Sequence, residues 1–201
     1  MSDGADAATL AFYAREAPVY VASGFDGVSR HLGGFLNRLQ PGARILELGC
    51  GGGRDAAEML RRGFDVVPTD GVAAMAQKAS ERLGMPVAVL RFDELTAVAE
   101  FDAVWAHASL LHVPRAGLGD VLAAIHRALK PGGLHFACYK TGDGEARDRL
   151  GRLYNYLSPD ELAAAYRAVA PWQLIATEAY AGGGYDGVQG PRLALTVVKP
   201  G

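Results

Sequence analysis

The sequence predicts an α/β fold, a single mostly parallel sheet covered by helices on both faces. Three observations carry this reading. Apolar runs of strand length alternate with segments of helical period along most of the chain. The first such run, residues 44–48, passes through the turn Gly49-Cys50-Gly51-Gly52-Gly53 straight into a helix, the form of a strand–turn–helix ligand site. A length of 201 residues, 50% of them hydrophobic, fits one domain with its own core.

Taken in order, residues 7–39 read as helix in two pieces, broken near Pro18 and Ser23-Gly24. The second piece aligns Phe25, Val28, Leu32, Phe35, Leu36 and Leu39 on one face, and Gln40-Pro41-Gly42 stops it. After the strand at 44–48 a helix is expected over 54–62, then a strand from Phe64 to Asp70 in which Pro68 marks the end of ladder pairing. A helix with Met75, Ala79 and Leu83 on one side follows, then short strands over 86–90 and 101–106. Leu118, Val121, Leu122, Ile125 and Leu129 share a helical face ended by Lys130-Pro131-Gly132-Gly133, and 134–139 is a fifth strand. Ser158-Pro159-Asp160-Glu161 is a capping box with proline at the first helical position. Residues 172–180 and 192–199 have no helix between them and read as an antiparallel pair.

Composition excludes several classes. The net charge of -2 leaves no electrostatic footprint for nucleic acid, and the 16 Arg against 4 Lys fit coding bias better than phosphate recognition. Two cysteines, Cys50 and Cys138, form neither a CxxC nor a metal-ligand spacing, which points to a reduced, cytoplasmic protein without a metal centre. The acidic start Met1-Ser2-Asp3-Gly4-Ala5-Asp6 lacks the basic and apolar regions of a signal peptide, and no run reaches membrane-spanning length.

The chemistry concentrates where the glycine turn meets two acids. Glu47 stands inside an otherwise apolar strand, and Asp70 ends the next strand, where a carboxylate can accept both hydroxyls of a ribose. Gly51-x-Gly53-x-x-Ala56 also satisfies a dinucleotide fingerprint, so an NAD(P)-dependent oxidoreductase is an alternative. Against it, the usual register would start at Gly49 and place Arg54 where a small residue belongs, and Glu47 would repel a pyrophosphate.

Glu47-x-Gly49-x-Gly51-x-Gly53, Asp70, Arg91-Phe92-Asp93-Glu94-Leu95, Phe101-Asp102-Ala103-Val104-Trp105-Ala106 and Leu129-Lys130-Pro131-Gly132-Gly133 together resemble the motifs of class I S-adenosylmethionine-dependent methyltransferases, in the correct order over residues 40 to 140. Gly53-Arg54-Asp55 and the stretch from His107 to Val113 are further similar to small bacterial methyltransferases of the tellurite-resistance type. The resemblance implies a Rossmann-like three-layer sandwich with strand order 3-2-1-4-5-7-6. It divides the one domain into an N-terminal helical lid (1–40), a cofactor-binding core (41–140) and a substrate-side region (141–201).

It also implies S-adenosylmethionine as cofactor. Its expected contacts are Tyr20, Glu47, Gly49, Gly51, Arg54, Asp70, Gly71, Met75, Phe92, Asp93, Glu94 and His107. His107 and His112, after the fourth strand, are the candidate catalytic bases. No NPPY-like motif follows that strand, so the expected acceptor is a small molecule rather than a nucleic acid base. Its pocket is expected to draw on Tyr139, Tyr154 and Tyr156, with residues 7–24 closing over it through Tyr13 and Tyr20. The charged stretch from Asp143 to Arg152 reads mainly as a solvated face, the alternative being that Arg147, Arg149 and Arg152 recruit a carboxylate or oxyanion. A protein that binds S-adenosylmethionine without catalysis is a further alternative.

Overall fold

The computed structural model describes residues 4–23 and 27–201. The chain runs α1 (Ala7–Ala22), α2 (Leu32–Leu36), β1 (Arg44–Leu48), α3 (Arg54–Arg61), β2 (Asp65–Asp70), α4 (Ala73–Leu83), β3 (Ala88–Val89), β4 (Phe101–Ala106), α5 (Arg115–Ala128), β5 (Leu129–Lys140), β6 (Glu145–Arg147), β7 (Leu153–Asn155), α6 (Pro159–Val169), β8 (Gln173–Gly183) and β9 (Gln189–Val198). Its main sheet has the order β3-β2-β1-β4-β5-β9-β8, the expected 3-2-1-4-5-7-6. β9 pairs antiparallel with both β5 and β8, so it alone runs against the other six strands.

Period-two alternation builds the two cores. Ile45, Ala103 and Trp105 face one layer, with Leu32, Phe35 and Leu36 of α2 and Ala56 and Met59 of α3. Leu46, Leu48, Val104 and Ala106 face the other, against α5 and α6. Burying Ile45, Leu46 and Leu48, each worth roughly 1.5–3 kcal/mol, fixes the strand that carries Glu47. α1 packs on α4 through Ala17, Val72 and Met75, which sets it across the carboxyl ends of the first strands.

Several expectations need correction. Pro18 does not break α1, which continues to Ala22. The ring removes one backbone donor, but Asp6 caps the start by accepting from Thr9 N at 2.8 Å, and burial of Thr9, Phe12 and Ala17 holds the helix down. The second helical piece shrinks to Leu32–Leu36, because Gly33-Gly34 weakens it, and Val28 is exposed. Gly24 and Phe25, expected as hinge and core, lie outside the described residues, as does the start Met1-Ser2-Asp3.

Pro68 sits within β2, in register with Glu47. The carbonyl of Thr69 points to the β1 side, where it accepts from Gly49 and Cys50, so Pro68 turns its missing donor toward β3. Pairing with β3 begins only at Thr69. β5 starts earlier than expected, at Leu129. The hairpin β6–β7, not anticipated, interrupts the long connection after β5.

Candidate active site

The site begins where β1 ends. The chain leaves Leu48 through left-handed backbone at Gly49 (φ 77°), Gly51 (φ 56°) and Gly53 (φ 75°). At Gly49 a side chain is excluded twice, since a Cβ there would lie 2.6 Å from Ser109 Cβ. Ser109 in turn donates to Leu48 O at 2.7 Å, which binds the turn after β4 to the glycine turn.

Asp70, at the end of β2, accepts from Gly51 N and Val72 N through different oxygens, each at 2.9 Å. Burial raises its pKa to about 6, against the pull of those two N–H groups. Glu47 is 3% exposed, and its Oε2 has no hydrogen-bond partner among the described residues. Burial, then repulsion from Asp55 and Asp70, holds its pKa well above the carboxylate range. Asp55 is committed elsewhere, accepting from Ser29 N at 2.8 Å and Trp105 Nε1 at 2.9 Å. Acids crowded around an unsatisfied carboxylate oxygen make a wall suited to a cation and to hydroxyl donors.

α1 forms the opposite wall. The rings of Tyr13 and Tyr20 meet edge to face at 5.4 Å, and Tyr20 packs on Tyr185 at 4.9 Å. The Tyr13 hydroxyl lies 3.0 Å from His112 Nε2 and accepts from Arg152 Nη1 at 2.8 Å. His112 Nδ1 stands 2.6 Å from the Leu153 carbonyl, so it carries the proton and donates it there. Nε2 is then the acceptor of the Tyr13 O–H. Burial lowers the His112 pKa to about 4, so the ring is neutral at pH 7 and above. Arg152 is 1% exposed and bonds Asp148 through Nε and Nη2 at 3.0 and 2.7 Å.

The cavity takes in Tyr20, Glu47, Gly49, Gly51, Arg54 and Asp70 from the expected cofactor residues. Gly71, Met75, Phe92 and both candidate bases, His107 and His112, line it as well. His107 stacks on Trp105 at 5.8 Å, and burial lowers its pKa to about 4. Asp93 and Glu94 are not among the lining residues. Arg91 holds Asp93 through two contacts of 3.1 Å, and Glu94 accepts from Arg91 N at 2.9 Å.

Of the expected acceptor-pocket tyrosines, Tyr154 lines the cavity, whereas Tyr139 and Tyr156 do not. Tyr139 shares a hydrogen bond of 3.0 Å with Tyr166, deep among the side chains beneath α6. The stretch expected as a solvated face divides: Glu145 and Arg147 are exposed, but the Asp148–Arg152 pair is buried at the cavity. Among the polar lining residues, Ser29 and Arg192 were given no role in the sequence reading, Asp55 entered only as part of Gly53-Arg54-Asp55, and Arg152 was placed on the solvated face. Arg192 carried a usable signal, a cation beside the apolar strand residues 193–198, the same contrast that marks Glu47.

A Rossmann-like sheet of this order, with an acid at the end of each of its first two strands and a glycine turn between, is the architecture that the sequence resemblance implies. Residues 45–133 match the family model described as methyltransferase domain. It is 30% identical over 147 residues to an uncharacterized methyltransferase of Synechocystis, covering 70% of this chain and 64% of that protein. The curated relatives are longer: the matched part spans only 44% of a ubiquinone biosynthesis O-methyltransferase of Alkalilimnicola ehrlichii. Among solved structures, the 1,6-didemethyltoxoflavin-N1-methyltransferase of Burkholderia thailandensis, with bound S-adenosylhomocysteine, superposes with TM-score 0.73 at 24% identity over 95% of this chain and 88% of that one. A TehB-like methyltransferase of Corynebacterium glutamicum gives TM-score 0.70 at 20% identity over 98% of this chain and 100% of that one. Both likenesses are of fold. No helix among the described residues is long and apolar enough to cross a membrane.

Proposed function

We propose that the chain transfers a methyl group from S-adenosylmethionine to a small-molecule acceptor by in-line displacement. The observation that carries this is the buried, unpartnered Glu47 Oε2 beside an Asp70 whose carboxylate is already aligned by the glycine turn. When bound, the cofactor supplies an electrophilic methyl on a sulfonium. Asp70 keeps free lone pairs on both oxygens for the two ribose hydroxyls. Glu47 takes the amino group, whose charge relieves the repulsion among the acids. Arg54, which forms no ion pair or side-chain hydrogen bond among the described residues, takes the carboxylate. Phe92, with Met75, covers the adenine.

The remaining residues align the acceptor and keep water out, which supplies most of the rate in such a displacement. α1 acts as the lid, placing Tyr13 and Tyr20 over the site. For an acceptor that must lose a proton, the Tyr13 hydroxyl takes it while passing its own to neutral His112 Nε2, and Arg152 stabilises the oxygen between them. His107 stays neutral against Trp105 and lines the path between cofactor and acceptor.

The test is calorimetric titration with S-adenosylhomocysteine of the wild type and of Glu47→Gln and Asp70→Ala. Tight binding to the wild type, lost in both variants, supports the reading. Equal affinity in all three removes these acids from the site.

A further inference from the structure

Arg192 is 7% exposed and lines the cavity, yet among the described residues its side chain makes a single hydrogen bond, Nη2 to the Gly183 carbonyl at 2.7 Å. No carboxylate of the described residues forms an ion pair with it. Arg152, still more deeply buried, differs in this respect, because Asp148 neutralises it through two contacts. Nearby Asp186 is taken up by Lys140, 3.7 Å away, and by Val188 N at 3.2 Å. Among the described residues, the region behind this wall therefore holds three cations, Lys140, Arg152 and Arg192, against two carboxylates, Asp148 and Asp186, and of these Arg152 and Arg192 line the cavity.

A guanidinium cannot shed its proton to relieve burial, and an uncompensated buried charge is strongly unfavourable. The chain nonetheless holds the side chain in place. A Cβ at Gly182 would lie 2.8 Å from Arg192 Cδ and 2.9 Å from its Nε, so the glycine run 182–184 leaves room for its stem. The Gly183 carbonyl fixes one N–H, and the rest of the planar fork has no partner among the described residues. Aromatic rings of Tyr154 and Tyr185 line the same space.

We infer that Arg192 is the acceptor-recognition residue, and that the acceptor is a small, flat molecule carrying a carboxylate or equivalent oxyanion that pairs with its guanidinium. This rests on the methyltransferase reading for the word acceptor, but the anion site itself does not depend on it.

The experiment measures binding of benzoate and of its neutral analogue benzamide by calorimetry, with and without S-adenosylhomocysteine, in the wild type, Arg192→Gln and Arg192→Lys. Selenite serves as an inorganic arm. Benzoate should bind and benzamide should not. Arg192→Gln should weaken benzoate about tenfold or more, with the lysine variant in between and S-adenosylhomocysteine affinity within about twofold of wild type, which also reports an intact fold. Selenite binding in place of benzoate, lost in the same variants, supports the anion site and assigns it an inorganic ligand. The inference is overturned if neither anion binds, if benzamide binds as well as benzoate, or if Arg192→Gln binds the anion unchanged. It is also overturned if that variant loses S-adenosylhomocysteine as strongly as the anion, since the guanidinium would then belong to the cofactor. Failure of S-adenosylhomocysteine to bind, with benzoate binding intact on the free protein, would instead sink the methyltransferase reading.

Discussion

The two walls of the cavity are built on opposite principles. One is acidic and local: Glu47, Asp55 and Asp70 come from a stretch of two strands, one turn and the start of one helix. The other is cationic and assembled from afar. Arg152 meets Tyr13 across 139 positions of sequence. Charge is divided accordingly, with cation-seeking groups under the proposed cofactor and anion-seeking groups under the proposed acceptor. The same burial acts on both walls with opposite results. It raises the acids Glu47 and Asp70 and lowers the imidazole of His112.

The largest expected effect breaks the acidic wall. Asp70→Ala removes the acceptors of two backbone N–H groups and of the proposed ribose contacts, and should weaken S-adenosylhomocysteine about 100-fold or more by calorimetry. Breaking the cationic wall should act on the fold instead. Asp148→Ala strands the buried Arg152 guanidinium and should cost about 3–5 kcal/mol in urea unfolding. A loss below about 1 kcal/mol would show that water reaches the pair.

These contrasts explain what was legible in the sequence. The acidic wall could be read because its residues are close in the chain and break a pattern, an acid in an apolar strand and glycines in a row. Strand order followed from the same motifs. The cationic wall was harder to read, since Arg152 lies among Asp143, Glu145 and Asp148 in a run where a solvated face outweighed an anion-recruiting role until β6 and β7 fold it under α1. Tyr139 was misplaced for a related reason: on β5 the choice between cavity and core depends on strand register, which no local signal sets. Pro18 misled because a helix-breaking residue was weighed without the tertiary contacts that hold α1.

Smaller effects sharpen the comparison. Tyr13→Phe keeps the ring but removes the hydroxyl between Arg152 and His112. On an acceptor that must lose a proton, kcat should fall by about 10²–10⁴, with S-adenosylhomocysteine affinity unchanged within about twofold. The two walls should also titrate apart. Asp70, raised to about 6, is ionised above that pH, so S-adenosylhomocysteine affinity should weaken as pH falls through 6. His112, lowered to about 4, stays neutral there, so its part in turnover should persist until about pH 4. Because its folded pKa lies below the ordinary 6.5, its contribution to stability is present above 6.5 and is lost as pH falls from there toward 4. The smallest effect is expected at Asp93, held by Arg91 outside the cavity lining. Asp93→Asn should change S-adenosylhomocysteine affinity by less than about threefold.

The central claim, that the acidic wall is made for S-adenosylmethionine, is tested most directly by titrating the wild-type protein with S-adenosylhomocysteine and, separately, with NADPH. Binding of the first and none of the second is the predicted result, because Glu47 would face a pyrophosphate across the glycine turn. Binding of NADPH with no heat from S-adenosylhomocysteine would contradict it.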